Sequence, residues 1–497
     1  MYFCIKRMIK SKTCLGFKII YKLTLDKNLI IGGVFWSTID RLAVVGIQLL
    51  FEVIIARFLL PADYGLIGMV AVFMSIAQAF IDGGFMNALI QKQDRTEIDF
   101  STIFYSSVVL SLFLYITLYL TAPLIASFYQ VPELTTIVKV LGLNIVFNSI
   151  ALVYRTKLSI SMNFKLQAKL SVFSVILSGI LGLYLALNNF GVWALVIQSI
   201  CLYGLNTFFL ILNLRWKPLF RFSYESFKKL FGFGSKVLAA GIIQAIYSNL
   251  YSLIIGKVFK TKELGLYSKS SQFTLYPSSM ITNMLQRVLF PYLTRYQNDD
   301  KKLFDINKQY YTIIAMIFFP LFVGLSILAE PFVILLLSKK WIEAVPLIRV
   351  LSIAFLFYPF ININMYIFQI KGMSSRFLLI EIATKIIGII ILLLTVKYGV
   401  YVMCIGLLLQ HIIQLLITSY FSDLAMKSKK FSQIKVLLPL IIFSIFISSL
   451  ITPIIQTIEL PLLKLFIGGF ILLFSYTVYY GLTMRKIVLS FRDLIKK

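Results

Sequence analysis

Charge is scarce in this sequence, and acidic charge is scarcest. Of 497 residues only 14% are charged, with 20 acids against 48 Lys and Arg and a formal net charge of +28. Soluble domains carry about 25% charged residues. A soluble enzyme is therefore excluded, and so is a disordered chain, because 59% of the residues are hydrophobic. No extended polar stretch leaves room for a soluble domain. The cysteines Cys4, Cys14, Cys201 and Cys404 stand apart without C-x-x-C spacing, which points to neither a metal site nor a disulfide framework. The single histidine, His411, lies in an apolar run and reads as a packed bundle residue rather than a ligand. The arm from Met1 to Asn28 is basic but has no apolar h-region, so it is not a signal peptide. It reads as a surface segment, a disordered arm or an extension ahead of the true start.

What the chain does have is long apolar runs. About 20 such residues cross a bilayer as a helix, and about fourteen candidates lie near 31–57, 66–89, 101–126, 134–154, 170–187, 191–213, 237–256, 270–291, 309–329, 346–370, 377–396, 398–421, 436–455 and 461–484. The fold class is all-α and polytopic. Lys and Arg concentrate in alternate loops, the bias that marks cytosolic loops. That explains the basic balance without nucleic acid and puts both termini in the cytosol. Arg41, Lys139, Arg287, Arg349 and Lys385 fall inside spans.

The chain also repeats itself at an offset of about 200 residues. Ile54-Ile55-Ala56-Arg57 and Asp63-Tyr64-Gly65-Leu66 return as Ile254-Ile255-Gly256-Lys257 and Glu263-Leu264-Gly265-Leu266. Lys139-Val140-Leu141 returns as Arg349-Val350-Leu351, and Gly191-Val192-Trp193 as Gly399-Val400-Tyr401. Each unit holds six spans, so the two insert the same way up, as parallel repeats do in transporters. The divisions follow: a basic arm at 1–28, a six-helix lobe at 29–213, an amphipathic cytosolic linker at 214–236, a second lobe at 237–421, and two extra helices with a basic tail at 422–497. The linker sets Phe220, Phe222, Tyr224, Phe227, Phe231 and Phe233 among its cations, a composition suited to a membrane surface.

Polar residues inside spans are costly and mark functional faces. In the first span Ser37, Arg41, Gln48 and Glu52 share a helix face. The second carries Ser75, Gln78 and Asp82, the seventh Gln244, Ser248 and Ser252, and the eighth Gln272, Tyr276, Ser279, Asn283, Gln286 and Arg287. Pro277 is expected to kink the eighth. Ordinary interhelical hydrogen bonding accounts for the same faces. Glu381 and Lys385 are an i, i+4 pair that can neutralise itself.

Phe35-Trp36-Ser37 through Asp40-Arg41, then Ala56-Arg57-Phe58-Leu59-Leu60-Pro61-Ala62-Asp63-Tyr64-Gly65, resembles the start of polysaccharide flippases. Gln91-Lys92-Gln93-Asp94, Gln286-Arg287-Val288-Leu289-Phe290-Pro291 and the segment from Lys340-Trp341 to Leu351 are similar to the same group. The group is the Wzx-type O-antigen and capsule transporters of the multidrug/oligosaccharidyl-lipid/polysaccharide exporter superfamily. The resemblance covers roughly 30–485. It implies two six-helix lobes making a V around a central cavity, plus two helices. It also implies flipping of an undecaprenyl-pyrophosphate-linked glycan across the bacterial inner membrane by alternating access. Membrane lipids, polysaccharide polymerase and export proteins are the implied partners, with no cofactor and no catalytic residue.

A carrier of such a lipid must shield a pyrophosphate from hydrocarbon, and the planar fork of arginine suits phosphate oxygens. The substrate-binding expectations are Arg41, Gln48, Gln78, Arg155, Lys157, Lys236, Gln244, Asn283, Gln286 and Arg287. Topogenic charge explains the loop lysines equally. Asp40, Glu52 and Asp82 are the acids available for ion coupling, and they do not choose between proton, sodium and no coupling. Two other transport or enzyme readings remain. A multidrug cation antiporter of the same fold would want acidic residues in its cavity. A membrane glycan polymerase or transferase needs a large outer loop or a carboxylate cluster. A non-transporting scaffold of the glycan assembly complex is a third alternative.

Overall fold

The computed structural model describes residues 43–82 and 85–483. Every regular element among them is helical. In chain order, α1 occupies 43–58. It is followed by α2 (Pro61–Asp82), α3 (Phe85–Gln91), α4 (Glu97–Tyr129), α5 (Leu134–Leu141), α6 (Leu143–Ile160), α7 (Phe164–Leu187), α8 (Val192–Leu214), α9 (Tyr224–Ser248) and α10 (Leu250–Val258). Then come α11 (Thr261–Thr294), α12 (Asp300–Ile327), α13 (Ala329–Leu336), α14 (Val345–Leu356), α15 (Tyr358–Ile370), α16 (Ser374–Thr395), α17 (Val400–Ala425), α18 (Ile434–Gln456) and α19 (Pro461–Thr483).

Eleven segments of the described residues are long and apolar enough to cross a membrane. The count of fourteen is therefore not reached by that measure. The three expected spans outside it are the first, described only from residue 43, and the seventh and eighth, whose polar residues dilute their apolar character. Those two are nevertheless helical, within α9, α10 and α11. Helix α11 continues through Pro277 and Pro291. Several helices start earlier than their apolar runs. The run near 309–329 belongs to a helix beginning at Asp300, where the Asp299 side chain accepts from Lys302 N and caps the first turn.

The chain separates into two compact units. Among the described residues one comprises those up to Leu59 with Met69–Leu250, the other Leu60–Gly68 with Tyr251–Thr483. Helix α2 thus gives its first turns to the second unit.

In the first unit α7 and α8 form a hairpin, and α6 packs between α4 and α8. Ile81, Leu89, Ile103 and Val153 are sealed in its core. Helix α4 opens on a capping box. Asp99 N donates to the Thr96 hydroxyl, Thr96 N donates to the Asp99 carboxylate, and Lys92 pairs with that carboxylate at 2.8 Å.

The second unit is built around α14, which packs on α11, α12 and α17. Trp341, Phe318, Phe322 and Phe360 are fully buried there. Within it a polar network ties three helices. Tyr311 of α12 donates to Asn364 Oδ1 at 2.7 Å, and Asn364 of α15 donates to Thr418 and Ser419 of α17 at 3.2 and 3.0 Å. Ser422 also donates to Asn364 Oδ1, and Gln433 donates to Ser422. Such networks fix helix register inside an apolar bundle.

Two features express the repeat in three dimensions. Gly191 and Gly399 open α8 and α17 with φ of +56° and +96°, a region that glycine enters without steric cost. More telling is the crossing of α2 and α11 inside the second unit. A Cβ on Gly65 would lie 1.8 Å from the Thr261 carbonyl oxygen, and one on Gly265 would lie 1.7 Å from the Pro61 carbonyl oxygen. Position 65 meets 261, and 265 meets 61, so the contact is reciprocal across the 200-residue offset.

Candidate substrate-binding residues

In the first unit Arg155 stands on the last turns of α6. Two turns earlier on the same face stands Asn148, whose Oδ1 accepts from Arg155 Nη1 at 2.6 Å. Asn206, facing it from α8, accepts from Nη2 at 2.9 Å. One amide oxygen thus takes each terminal nitrogen of the guanidinium while Arg155 stays half-buried. The seam continues along α6 and α8, where Asn144 donates to Ser199 at 2.9 Å and Thr207 donates to the Phe147 carbonyl at 2.9 Å. A fixed arginine fork in a membrane helix is suited to a phosphate oxygen pair.

Lys157, two residues on, points elsewhere. Its Nζ lies 2.8 Å from Glu97 of α4 and over the Phe100 and Trp216 rings at 4.4 and 4.7 Å. Trp216 Nε1 donates to the same carboxylate at 2.7 Å. Lys157 therefore helps fasten the 215–223 connection to the start of α4.

Gln48 donates to Glu52 at 3.2 Å, as their four-residue spacing implies. Gln78 is half-buried on α2 and Gln244 is exposed on α9. Nearby, Asn249 at the break between α9 and α10 donates to Ser75 of α2 at 2.8 Å. Arg41 and Asp40 lie outside the described residues, as do the side chains of Asp82 and Lys236. In the second unit Asn283 and Arg287 are exposed and Gln286 is half-buried, all on adjacent turns of α11.

Sequence reasoning missed several of these. Lys269 resembles a charge of the outer loop, yet it is 2% exposed within α11. Its Nζ donates to Gln272 at 2.9 Å and lies 4.3 Å from the centre of the Tyr64 ring. The Lys269–Gln272 spacing was readable, but Tyr64 is supplied from far away in the chain. Asn148 and Asn206 carried no signal, since a lone amide in an apolar run does not reveal its partner. His411 is packed as expected, with Nδ1 2.9 Å from the Ala354 carbonyl oxygen and its ring edge-on to Phe355. Glu381 and Lys385 pair at 3.0 Å.

Comparison with known proteins adds an independent line. A family model described as "Polysaccharide biosynthesis protein" matches residues 54–346, more than half of the chain. The teichuronic acid biosynthesis protein TuaB of Bacillus subtilis (strain 168) is 26% identical over 70% of this chain and 72% of its own length. The lipopolysaccharide biosynthesis protein WzxC of Escherichia coli (strain K12) is 22% identical over 80% of this chain and 88% of its own. Among solved structures, the lipid II flippase MurJ in an inward closed conformation superposes with a TM-score of 0.73 at 14% identity, over 92% of this chain and 100% of that one. An inward-facing multidrug resistance MATE family transporter of the MOP superfamily gives 0.61 at 17% identity, over 76% and 94%. At these identities the structural likenesses speak to the fold alone.

Proposed function

The chain belongs to the polysaccharide biosynthesis protein family, and from that premise we propose that it is a multi-pass carrier that flips a lipid-linked glycan across the bacterial inner membrane. The finer reading is an undecaprenyl-pyrophosphate-linked repeat unit moved from the cytosolic leaflet by alternating access, with both termini cytosolic. The relatives named for teichuronic acid and lipopolysaccharide biosynthesis support the reading, and the fold, shared with a lipid II flippase, is compatible with it.

The observation that carries the reading is the Arg155 fork. Holding an arginine among helices of this kind costs desolvation, and a binding role offsets it. The seam amides fix the guanidinium's orientation, so little side-chain entropy is lost when a pyrophosphate arrives. Sugars need hydroxyl and amide partners, and Ser75 and Gln78 of α2 and Gln244 of α9, in the same unit as Arg155, are of that chemistry. Basic rather than acidic residues at such positions argue against an exporter of organic cations. This is a transporter rather than an enzyme, because it moves its substrate without changing a covalent bond.

The test is complementation in a strain lacking the gene, at matched membrane abundance. Wild type should restore surface glycan. Arg155→Ala should lower it by roughly tenfold or more and accumulate lipid-linked repeats facing the cytosol, and Arg155→Lys, which keeps charge but not the fork, should recover little. Arg41→Ala and Arg287→Ala test the remaining cations. Full function in Arg155→Ala would remove the proposed site, and unchanged glycan and lipid-linked intermediates on deletion would remove the flippase reading.

A further inference from the structure

The connection between α8 and α9, residues 215–223, begins one residue beyond the end of an apolar span. It is firmly held. The Leu219 amide donates to the Ser101 hydroxyl at 2.8 Å and the Ser223 amide to the Thr102 hydroxyl at 3.1 Å. The Tyr154 hydroxyl donates to the Trp216 carbonyl at 3.0 Å, and the Trp216 ring stands edge-on to Tyr154 and Phe104. Ser101 and Thr102 are both fully buried, so the backbone is pinned on each side of Phe220.

A pinned loop ordinarily tucks its aromatic side chains in. Here Phe220 is 98% exposed and Tyr224 71%. Arg215, Lys217 and Arg221 are exposed beside them. Apolar rings held outward among cations, at the end of a membrane helix, match the composition of the bilayer interface. Rings enter the boundary between head group and acyl chain, and cations meet lipid phosphates.

We propose that this loop is a binding site for anionic phospholipid head groups, with Arg215, Lys217 and Arg221 on the phosphates and Phe220 seated in the interface. The site lies on the cytosolic face, which rests on the orientation given above. Its occupant is a bulk lipid rather than the transported one. The cations sit on an anchored surface loop, whereas Arg155 is half-buried in the helical seam.

The full chain, purified in detergent, is titrated with phosphatidylglycerol and phosphatidylcholine and the retained lipid is read by native mass spectrometry. Wild type should prefer phosphatidylglycerol, and added salt should weaken the preference. Each surface cation contributes roughly a fivefold preference, so Lys217→Gln with Arg221→Gln should lower it by about 25-fold. Phe220→Ser should weaken retention of both lipids. None of these changes touches an anchoring hydrogen bond, and an unaltered melting temperature confirms it. Equal retention of the two lipids by wild type, or an undiminished preference in the double variant, would overturn the proposal. So would displacement of phosphatidylglycerol by a soluble polyprenyl pyrophosphate, which would assign the loop to the substrate. The assay needs no transport, so its failure and that of the flippase reading are separable.

Discussion

Replacing Gly65 by alanine should destabilise the protein, although alanine is the better helix former. The intrinsic gain of Gly→Ala in a helix is at most about 1 kcal/mol. Against it stands the α2–α11 crossing, where the new methyl group would lie 1.8 Å from the Thr261 carbonyl oxygen and 2.6 Å from its carbon. Real contacts need over 3 Å, so the helices must part by more than about 1 Å or the methyl must displace backbone, which cannot swing aside as a side chain can. Overpacking of this kind costs about 1–3 kcal/mol, and a backbone obstacle belongs at the upper end. Parting the helices also disturbs Tyr64, which stands edge-on to the buried Trp341 at 5.3 Å. The net loss should be about 2 kcal/mol, a fall of about 2 °C in Tm for a chain of this length. The assay is thermal melting of the purified chain by intrinsic fluorescence, with Trp341→Phe identifying the signal from the crossing. Gly469→Ala, in α19, is the control, because a Cβ there meets nothing within 4 Å; its Tm should hold or rise. Gly265→Ala should match Gly65→Ala, and the double variant should lose less than the sum, since one displacement relieves both clashes. If Gly65→Ala melts with Gly469→Ala, the reasoning from the crossing is refuted.

Two further outcomes follow from the packing. Asn364→Leu should lose about 2–4 kcal/mol, because it removes at once the hydrogen bonds of Asn364 to Tyr311, Thr418, Ser419 and Ser422 in the second unit's interior, although Tyr311 and Ser422 keep the carbonyls of Phe360 and Ser419; Tyr311→Phe, which removes one end of the network, should lose about 1 kcal/mol, and equal melting of the two would contradict the hub role of Asn364. Glu97→Ala releases both Lys157 and the Trp216 indole, so trypsin should cut after Arg215 and Arg221 roughly tenfold faster, with Glu97→Gln in between; Lys217 is followed by Pro218 and is no trypsin site, and unchanged cleavage would show that the hydroxyl anchors alone hold the loop.

How much of this was legible in the sequence depended on the range of the interaction. Apolar runs located the helices because hydrophobicity is local, and the pairs Gln48–Glu52 and Glu381–Lys385 followed from helical spacing. The reciprocal glycines were visible as matching segments, though only the structure brings them into contact. Lys269 was hidden because a cation near a span's end looks like a loop charge, and its ring partner lies far along the chain. Asn148 and Asn206 were hidden because the Arg155 fork depends on how α6 lies against α8. The helical starts at Thr261 and Asp300 were hidden because polar turns extend membrane helices beyond their apolar parts.

The crossing of α2 and α11 has the form of a twofold contact between identical subunits, one patch meeting its own copy. In a dimer of half-length chains every substitution there would appear twice. A single chain is released from that rule. Met69 stands at the position matching Lys269, and Leu264 at the position matching Tyr64. The cation and its ring could thus be acquired once, on one side, where two identical chains would have had to accommodate two buried ammonium groups. Covalent linkage of the halves turns a symmetric joint into one whose two sides can evolve separate tasks.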